Sequence, residues 1–294
     1  MTLFLTFAIN GALQGLLYAL VAIGFSVIYR ASKVFNIAQG ELLVLGGFLV
    51  WLTLMEWALP LYLGLPLSLA LAVASGWLIE RIFFKRLVGE QIFAMVMMSI
   101  ALLIFMRGFM LVVFGPDVRA FPAIFPAKPI IFQGVMVIQP LLFGGILTVL
   151  IAFGLSYFFN RTRAGLGLTA VAEDHRTAMD LGISVRRASQ IAWMLGMVLA
   201  MFGAVVSMNG NSINFLASGI GFIAIPVALL AGLEAITGML LAGVLIGVVE
   251  RLTAGYIDPL IGANFASIFP LLLMLLILTF RPSGFFGWKT IERI

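Results

Sequence analysis

Long uncharged apolar runs constrain this chain more than any other feature of its sequence. A helix needs about 17–25 such residues to cross a hydrocarbon core about 30 Å thick. The runs lie near residues 3–29, 42–55, 57–79, 91–114, 134–159, 188–208 and 260–280, with a longer broken stretch at 219–249. Only helices and closed barrels satisfy the backbone in lipid, and continuous runs exclude the alternating strands of a barrel. We therefore predict an all-α polytopic membrane protein with a single transmembrane domain over 1–294.

The stretch at 219–249 decides how many times the chain crosses the membrane. As one helix it would be roughly 45 Å long, which is too long for one perpendicular span and short for two. Pro226, Gly232 and Gly238 supply breaks. We expect a broken or re-entrant segment near 219–238, a turn, and a second helix from about 238 to 252. The predicted total is eight or nine transmembrane helices.

The positions of the basic residues predict the topology. Only 10% of the residues are charged, and 13 of the 17 basic ones fall in four groups at alternate ends of the runs. These groups are Arg30 and Lys33; Arg81, Lys85 and Arg86; Arg161, Arg163, Arg176, Arg186 and Arg187; and Arg281, Lys289 and Arg293. Cytoplasmic loops of membrane proteins are enriched in Lys and Arg. We therefore expect an inner (plasma) membrane protein with its amino terminus outside and its carboxyl terminus in the cytoplasm.

Residue types that support catalysis or metal binding are scarce. The chain has no cysteine and one histidine, His175, which lies in a charged segment and is expected to be solvated. No metal site, catalytic residue or G-x-x-x-x-G-K-[ST] phosphate loop is indicated. An intramembrane enzyme is therefore disfavoured, and no cofactor is expected in this chain. The net charge of +5 follows from the topology, so membrane lipid is an expected partner and nucleic acid is not.

Polar residues in or beside the apolar runs are candidates for function, because amides and charges are costly in lipid. Asn36, Gln39 and Glu41 precede one of the runs. They either cap a helix at the membrane interface or form a polar element at the inner end of a translocation path. Arg107 interrupts the run at 91–114. It either snorkels outward, or lines the path or pairs with another helix.

Small residues recur at intervals of four within several runs. The pattern joins Gly11 with Gly15, Gly196 with Ala200 and Ala204, and Gly243 with Gly247. This spacing lets helix backbones approach closely. It predicts packing within one bundle or, as the alternative, a seam between subunits.

The longest charged segment between runs, residues 160–187, carries a predicted helix of its own. Ala170–Leu181 lacks Pro and Gly and is rich in helix formers, and Gly182 stands where a glycine ends a helix. The sequence predicts a short cytoplasmic helix with an Ala-rich packing surface and a charged rim.

Several motifs in this chain resemble those of a known family. The run Gly165–Ile183 is similar to the Ala-rich loop by which permeases of ABC importers dock on their ATPase subunits, in the version that branched-chain amino acid permeases carry. Further similar stretches are Asn10–Gly24, Asn36–Glu41 with Gly46 and Gly47, Leu230–Gly238 with Gly243, Gly247 and Glu250, and Arg281–Gly287. Their order and spacing resemble the branched-chain amino acid ABC transporter permease family, on the side of its LivH-type subunit.

The resemblance implies a membrane-spanning permease subunit of a binding-protein-dependent importer. It would move branched-chain amino acids or related small solutes by alternating access. The implied partners are a second related permease, two ATPase subunits that bind ATP, and a periplasmic or extracellular solute-binding protein. A self-sufficient secondary transporter is the alternative; it is disfavoured because no matching halves or coupling-ion residues are visible.

The resemblance also assigns residues. The implied ATPase-coupling residues are Ala170, Ala172, Glu173, Asp174, Ala178, Leu181 and Gly182, within the coupling loop 160–187. The candidates for the translocation path are Asn36, Gln39, Glu41 and Glu234. Glu234 stands where the family often has a glycine. It is expected either at an interface or in the path.

Overall fold

The computed structural model describes residues 1–33, 35–87, 91–262, 264–281 and 284–286, without the side chains of residues 92, 175 and 176. The predicted solvation of His175 therefore lies outside the described side chains. The helices are α1 (Thr2–Ser32), α2 (Gln39–Trp51), α3 (Leu61–Ile79), α4 (Ile92–Phe114), α5 (Gln139–Arg161), α6 (Arg163–Glu173), α7 (His175–Asp180), α8 (Val185–Met208), α9 (Gly219–Ala231), α10 (Ile236–Tyr256), α11 (Asp258–Ile261) and α12 (Phe269–Phe280).

Short strands and turns complete the described architecture. Strand β1 (Arg119–Ala120) pairs antiparallel with β4 (Ser212–Ile213), and β2 (Ile130–Phe132) pairs antiparallel with β3 (Val135–Val137). One π-helical turn (Leu52–Glu56) extends α2 and another (Glu80–Phe84) extends α3, while 3₁₀ turns (Phe215–Ser218 and Phe265–Ser267) precede α9 and α12.

Helix length and composition confirm a polytopic membrane protein. Among the described residues, seven helices are long and apolar enough to span a membrane: α1, α2 and α3 with their π-helical turns, α4, α5, α8 and α10. Two shorter apolar helices are α9 with its 3₁₀ turn and α12. Counting both gives nine crossings, the larger of the two predicted totals.

The broken segment near 219–238 is present, and of the three predicted breaks Gly232 ends a helix whereas Gly238 lies inside α10. Pro226 lies inside α9 and does not end it. The helix ends at Gly232, which has φ +85° and ψ +121°. Pro226 removes one donor, whereas a positive φ turns the chain direction and suits glycine. The second helix, α10, begins two residues earlier than predicted and extends to Tyr256.

Helices α1 and α10 form a close antiparallel seam at the centre of the bundle. A Cβ added at Gly11 would stand 2.6 Å from the carbonyl oxygen of Gly247, and one added at Gly15 would overlap the carbonyl of Gly243. Only glycine permits two backbones to approach this closely. These small residues therefore pack within one chain, as predicted by the first alternative, packing inside a single bundle.

The contacts between segments show which helix ends share one side of the bundle. The Nζ of Lys33 lies 2.9 Å from Oε1 of Glu234, at the turn between α9 and α10. Arg30 lies with its guanidinium 4.8 Å from the ring centre of Phe159, near the end of α5. The N–H of Phe285, beyond α12, donates to the carbonyl of Leu230. We call this side the basic end.

Different segments meet at the opposite side of the bundle. Asn10, early in α1, donates to the carbonyl of Met136 in β3. Asn209, just beyond α8, accepts hydrogen bonds from the N–H groups of Ile124 and Phe125. This grouping of alternate helix ends agrees with the order of crossings predicted from the basic residues.

Candidate functional site

A buried polar group lies where the chain enters α2. Asn36 and Gln39 have no exposed surface, and Asn36 donates to the side-chain oxygen of Gln39 at 3.2 Å. Gln39 in turn lies 3.4 Å from the carbonyl of Gly196, at the middle of the 24-residue α8. The group therefore lies deeper in the bundle than the inner end expected from the sequence. That it lines a path stays a prediction.

The third predicted path residue, Glu41, forms an ion pair with Arg107 of α4. The distance from Oε1 of Glu41 to Nη2 of Arg107 is 2.6 Å. The side chain of Glu41 is 3% exposed and that of Arg107 is 43% exposed. The same Nη2 lies 2.6 Å from Oγ of Ser218 and 3.2 Å from the carbonyl of Phe215. One guanidinium thus joins α2, α4 and the turn before α9.

Arg107 therefore pairs with another helix and does not snorkel outward; that it lines a path stays a prediction. A cation in the last third of a span, such as Arg107, can usually reach the membrane surface by snorkelling outward. The carboxylate of Glu41 and the oxygens around Ser218 hold it inside instead, because charge-assisted hydrogen bonds are stronger in a low-dielectric interior. The two residues lie 66 positions apart, so no local pattern in the sequence indicates the pair.

Glu234 lies apart from the Asn36–Glu41 group. It pairs with Lys33 at the basic end, and both side chains are about one-third exposed, at 31% for Lys33 and 32% for Glu234. Lys33 has a left-handed backbone with φ +54° and ends α1. The pair connects the end of α1 to the turn between α9 and α10. Its role in a path stays a prediction.

A polar network between α1 and α10 has no counterpart among the sequence-based candidates. Gln14 donates to the hydroxyl of Tyr18, and that hydroxyl lies 3.1 Å from Oε1 of Glu250. Arg251 donates to the side-chain oxygen of Gln14 at 3.1 Å. The signal was available, since Glu250 and Arg251 follow the uncharged run directly and α10 continues beyond them. The network holds charged groups next to the glycine seam.

The cytoplasmic segment contains two helices instead of the single predicted helix over 170–181. Helix α6 begins at Arg163, where the Thr162 side chain caps it by accepting from the N–H of Gly165. It ends at Glu173, because Asp174 has an extended backbone with φ −150°. Asp174 then caps α7 by accepting from the N–H of Thr177 at 3.0 Å. Asp is favoured at such positions.

Gly182 ends α7 in the manner predicted. Its φ is +77°, its N–H donates to the carbonyl of Met179, and the N–H of Ile183 donates to that of Ala178. These two bonds form a Schellman motif, in which glycine is the preferred residue at the left-handed position. No atom outside the local chain lies within 4 Å of a Cβ added there.

The predicted coupling residues separate into buried and exposed groups. Ala172 and Ala178 are buried, at 4% and 1% exposure, and belong to the side of the segment that faces the bundle. Ala170 is partly buried. The exposed members are Glu173, Asp174, Leu181 and Gly182. The Ala-rich surface is therefore internal packing, and any external surface of this segment is formed by other residues.

The described residues contain no group of three or more His, Cys, Asp or Glu side chains that could hold a metal ion. The arrangement found is a helical bundle with buried amides and an ion pair at the ends of interrupted helices. Such groups occur in membrane proteins where a polar solute crosses. Fold and site together define a multi-pass membrane permease.

Comparison with known proteins identifies the kind of permease. Residues 7–278 match the family described as "Branched-chain amino acid transport system / permease component". The chain belongs to this family, with the LivH-type proteins among its relatives. It is thus a permease component of a transport system, which confirms the family predicted from the motifs.

The relatives match over nearly their whole length. The chain is 28% identical to the high-affinity branched-chain amino acid transport system permease protein BraD of Pseudomonas aeruginosa, covering 97% of this chain and 96% of that one. It is 24% identical to LivH of Escherichia coli K12, covering 99% and 98%. It is also 24% identical to a probable LivH of Methanocaldococcus jannaschii, covering 95% and 91%.

A solved structure is also similar. PsaBC from Streptococcus pneumoniae in complex with Fab matches with a TM-score of 0.45 and 15% identity, covering 92% of this chain and 90% of that chain.

Proposed function

We propose that this chain is the membrane-spanning subunit of an ATP-driven importer for branched-chain amino acids or related small solutes. Membership of the permease family carries this proposal, because its relatives are permeases of branched-chain amino acid transport systems. The family also favours this function over a self-sufficient secondary transporter. ATP would bind in separate subunits, and this chain would need no cofactor of its own.

The proposed contact with an ATPase subunit is the exposed side of the α6–α7 segment. We define it as the coupling surface, formed by Glu173, Asp174, Met179, Asp180 and Leu181. Leu181 is 72% exposed and Met179 is 56% exposed, beside three acidic residues. Exposed apolar side chains with a polar rim are typical of a protein contact. Ala172 and Ala178 support this surface from inside by fixing the segment on the bundle.

The proposed path passes the interrupted helices. Gly40 and Gly221 bring α2 and α9 together, since a Cβ at Gly221 would stand 2.6 Å from the Cα of Gly40. Asn36, Gln39 and Glu41 lie next to this contact. Irregular backbone at membrane depth is tolerated where protein or a polar cavity surrounds it. Movement of α9 against α2 would open such a cavity first to one side of the membrane and then to the other.

The proposed location is the inner membrane of a bacterial cell, with the amino terminus outside. The basic end, which holds Arg30 and Lys33, would face the cytoplasm under the positive-inside rule. The coupling surface follows α5 and precedes α8, at the same end. The segment 115–138 and the loop that begins at Asn209 would then face the solute-binding protein. A second related permease would form the other half of the path.

Purification of the complex tests this proposal. The chain, carrying an affinity tag, is isolated in lipid nanodiscs from cells of its source, and the bound proteins are identified by mass spectrometry. We expect two ATPase subunits with phosphate loops and a second permease. Leu181→Asp should remove the ATPases. The matched control is Leu260→Asp, because Leu260 is 84% exposed on α11, away from the coupling surface.

The outcome separates the two candidate functions. ATPases that co-purify with wild type and with Leu260→Asp, and are lost with Leu181→Asp, would support an ATP-driven importer. A chain that purifies without ATPases and still moves solute along an ion gradient would be a secondary transporter, and the proposal would be wrong.

A further inference from the structure

The ion pair between Glu41 and Arg107 leaves two complementary atoms without partners. Oε2 of Glu41 and Nε of Arg107 are both buried, and neither has a hydrogen-bond partner among the described residues. One is an acceptor that carries negative charge, and the other is a donor that carries positive charge. The pair therefore satisfies only part of the hydrogen-bonding capacity of each residue.

Such unmet capacity is costly inside a membrane protein. A buried ion pair compensates for its desolvation only when additional hydrogen bonds satisfy the remaining lone pairs and protons. Buried polar atoms have partners in the large majority of cases, so an acceptor and a donor that lack partners within one ion pair require a reason. A ligand with one cationic donor and one anionic acceptor close together would satisfy both.

Aromatic rings border the same place. The ring centres of Phe48 and Phe114 lie 4.4 Å apart and the rings are nearly parallel. Phe48 follows Glu41 by seven residues and Phe114 follows Arg107 by seven, so each ring lies two turns along its helix from the charged residue. Phe215 lies 5.9 Å from the Phe48 ring centre. The Phe215 ring centre also lies 5.9 Å from the guanidinium carbon of Arg107, so Phe215 connects the charged pair to the apolar wall that Phe48 and Phe114 form about 10 Å along the helices.

We propose that Glu41 and Arg107 bind the two charges of an α-amino acid zwitterion, and that the aromatic wall receives its apolar side chain. The α-ammonium would donate to Glu41 and the α-carboxylate would accept from Arg107. This inference rests on the proposed function and assigns residues that recognise its solute. Charge-assisted hydrogen bonds at a guanidinium favour a carboxylate by charge and by shape.

The packing of the two helices indicates how the pair would open. In an 18-residue apolar stretch of α2, 78% is buried within the bundle. The corresponding share for α4 is only 22%. Displacement of α4 therefore breaks fewer contacts than displacement of α2. As α4 moves, Arg107 withdraws from Glu41 and each becomes free for the opposite charge of the solute.

The test measures how well three related ligands protect a single cysteine. The sequence contains no cysteine, so Ala217→Cys introduces one beside Phe215 and Ser218. The complex, reconstituted with its ATPases, is treated with N-ethylmaleimide, and alkylation is read on this chain's own gel band. The ligands are leucine, leucinamide, which lacks the carboxylate, and 4-methylpentanoate, which lacks the ammonium. Each ligand is titrated to its half-protecting concentration.

Each variant should erase one preference and keep the other. In the Ala217→Cys background, leucine should protect at a concentration about tenfold or more below that of either analogue, as expected for one lost charged contact. Arg107→Gln should make leucine and leucinamide equal. Glu41→Gln should make leucine and 4-methylpentanoate equal. Arg251→Gln is the control, an arginine of α10 bonded to Gln14, and should keep both preferences.

Three results would overturn the inference. Leucine and its analogues could protect equally, or fail to protect, in a complex that still takes up leucine; the proposed function would then stand and the assignment of these residues would not. Alternatively, Arg107→Gln and Glu41→Gln could both prevent assembly while the exchange Glu41→Arg with Arg107→Glu restores assembly and wild-type uptake. The pair would then stabilise the fold, or form a contact to the second permease, and would not bind the solute.

Discussion

The central helices and the peripheral helices of this bundle differ in what they bury and how. We compare the buried share of an 18-residue apolar stretch in each helix. It is 78% in α1 and α2 and 67% in α8, but only 28% in α3, 22% in α4 and 33% in α5. The central helices contain the buried amides and one side of the glycine seam; α10, at 44%, forms the other side. The peripheral helices present apolar side chains outward. An apolar outer surface is suited to lipid, whereas the central contacts lie within this chain.

The same contrast distinguishes the two ion pairs among the described residues. Glu41 is buried at the centre, while Lys33 and Glu234 are each about one-third exposed at the basic end. Water already solvates the second pair, so its loss costs little. The first pair contains a carboxylate that water does not reach. The position of a charge, more than its identity, decides what its removal does.

The largest expected difference between centre and periphery comes from two glycines. Gly243→Val should greatly lower the amount of folded protein, because a Cβ at this position would overlap the carbonyl of Gly15; overpacking typically costs about 1–3 kcal/mol even where neighbours can move. Gly154→Val in α5 is the control, since nothing lies within 4 Å of a Cβ there. Membrane abundance and thermal unfolding in detergent measure the effect. Equal loss in both variants would contradict the central seam.

The next effect is on uptake rather than on folding. Glu41→Ala should lower uptake about tenfold or more, because a charged contact of this kind corresponds to at least a tenfold change. Assembly with the ATPases should be retained. The measurement is the initial rate of leucine uptake, normalised to the assembled complex. A normal rate would make Asn36, Gln39 and Glu41 a helix cap and remove them from the path.

A smaller effect is expected at the cytoplasmic segment. Gly182→Val should weaken coupling, since a residue with a Cβ pays roughly 1–2 kcal/mol in a left-handed conformation, and the chain leaving α7 would be redirected. Gly182→Asn is the matched control, because Asn tolerates this conformation better than other residues. Substrate-stimulated ATP hydrolysis by the reconstituted complex measures coupling. Full stimulation in Gly182→Val at normal abundance would show that the segment transmits no movement.

The smallest effect is expected at the exposed ion pair. Glu234→Ala should leave uptake within about twofold of wild type, because pairs in contact with water contribute about 0–1 kcal/mol. The same uptake assay measures it, with Glu41→Ala run in parallel. A loss as large as that of Glu41→Ala would place Glu234 in the path and remove the contrast between the two pairs.

The sequence predicted the bundle because its signals are local and strong. Apolar runs predicted the spans, and the small residues at intervals of four predicted close helix packing, which the contacts of Gly11 and Gly15 confirm. Gly182 was correct because a positive φ at a helix end has a clear residue preference. These features depend on a few neighbouring residues or on one helix face.

The errors came from competing local signals and from long-range contacts. The single helix over 170–181 was wrong because Asp174 prefers to cap α7 over continuing α6. The break at Pro226 was wrong because proline is tolerated within a helix whose neighbours compensate for the missing donor. Arg107 and Glu41 lie far apart in the chain, and the depth of Gln39 follows from its contact with Gly196. Only the tertiary fold brings these groups together.

The central claim is that the chain moves its solute with energy from ATP bound in other subunits. The most direct measurement is uptake of radiolabelled leucine by proteoliposomes that contain this chain, its second permease and the ATPases, with the solute-binding protein outside. We predict that leucine accumulates only when ATP is enclosed in the lumen and the binding protein is present outside. Accumulation should persist when ionophores collapse all ion gradients. Accumulation by this chain alone, without ATP and abolished by the ionophores, would contradict the account.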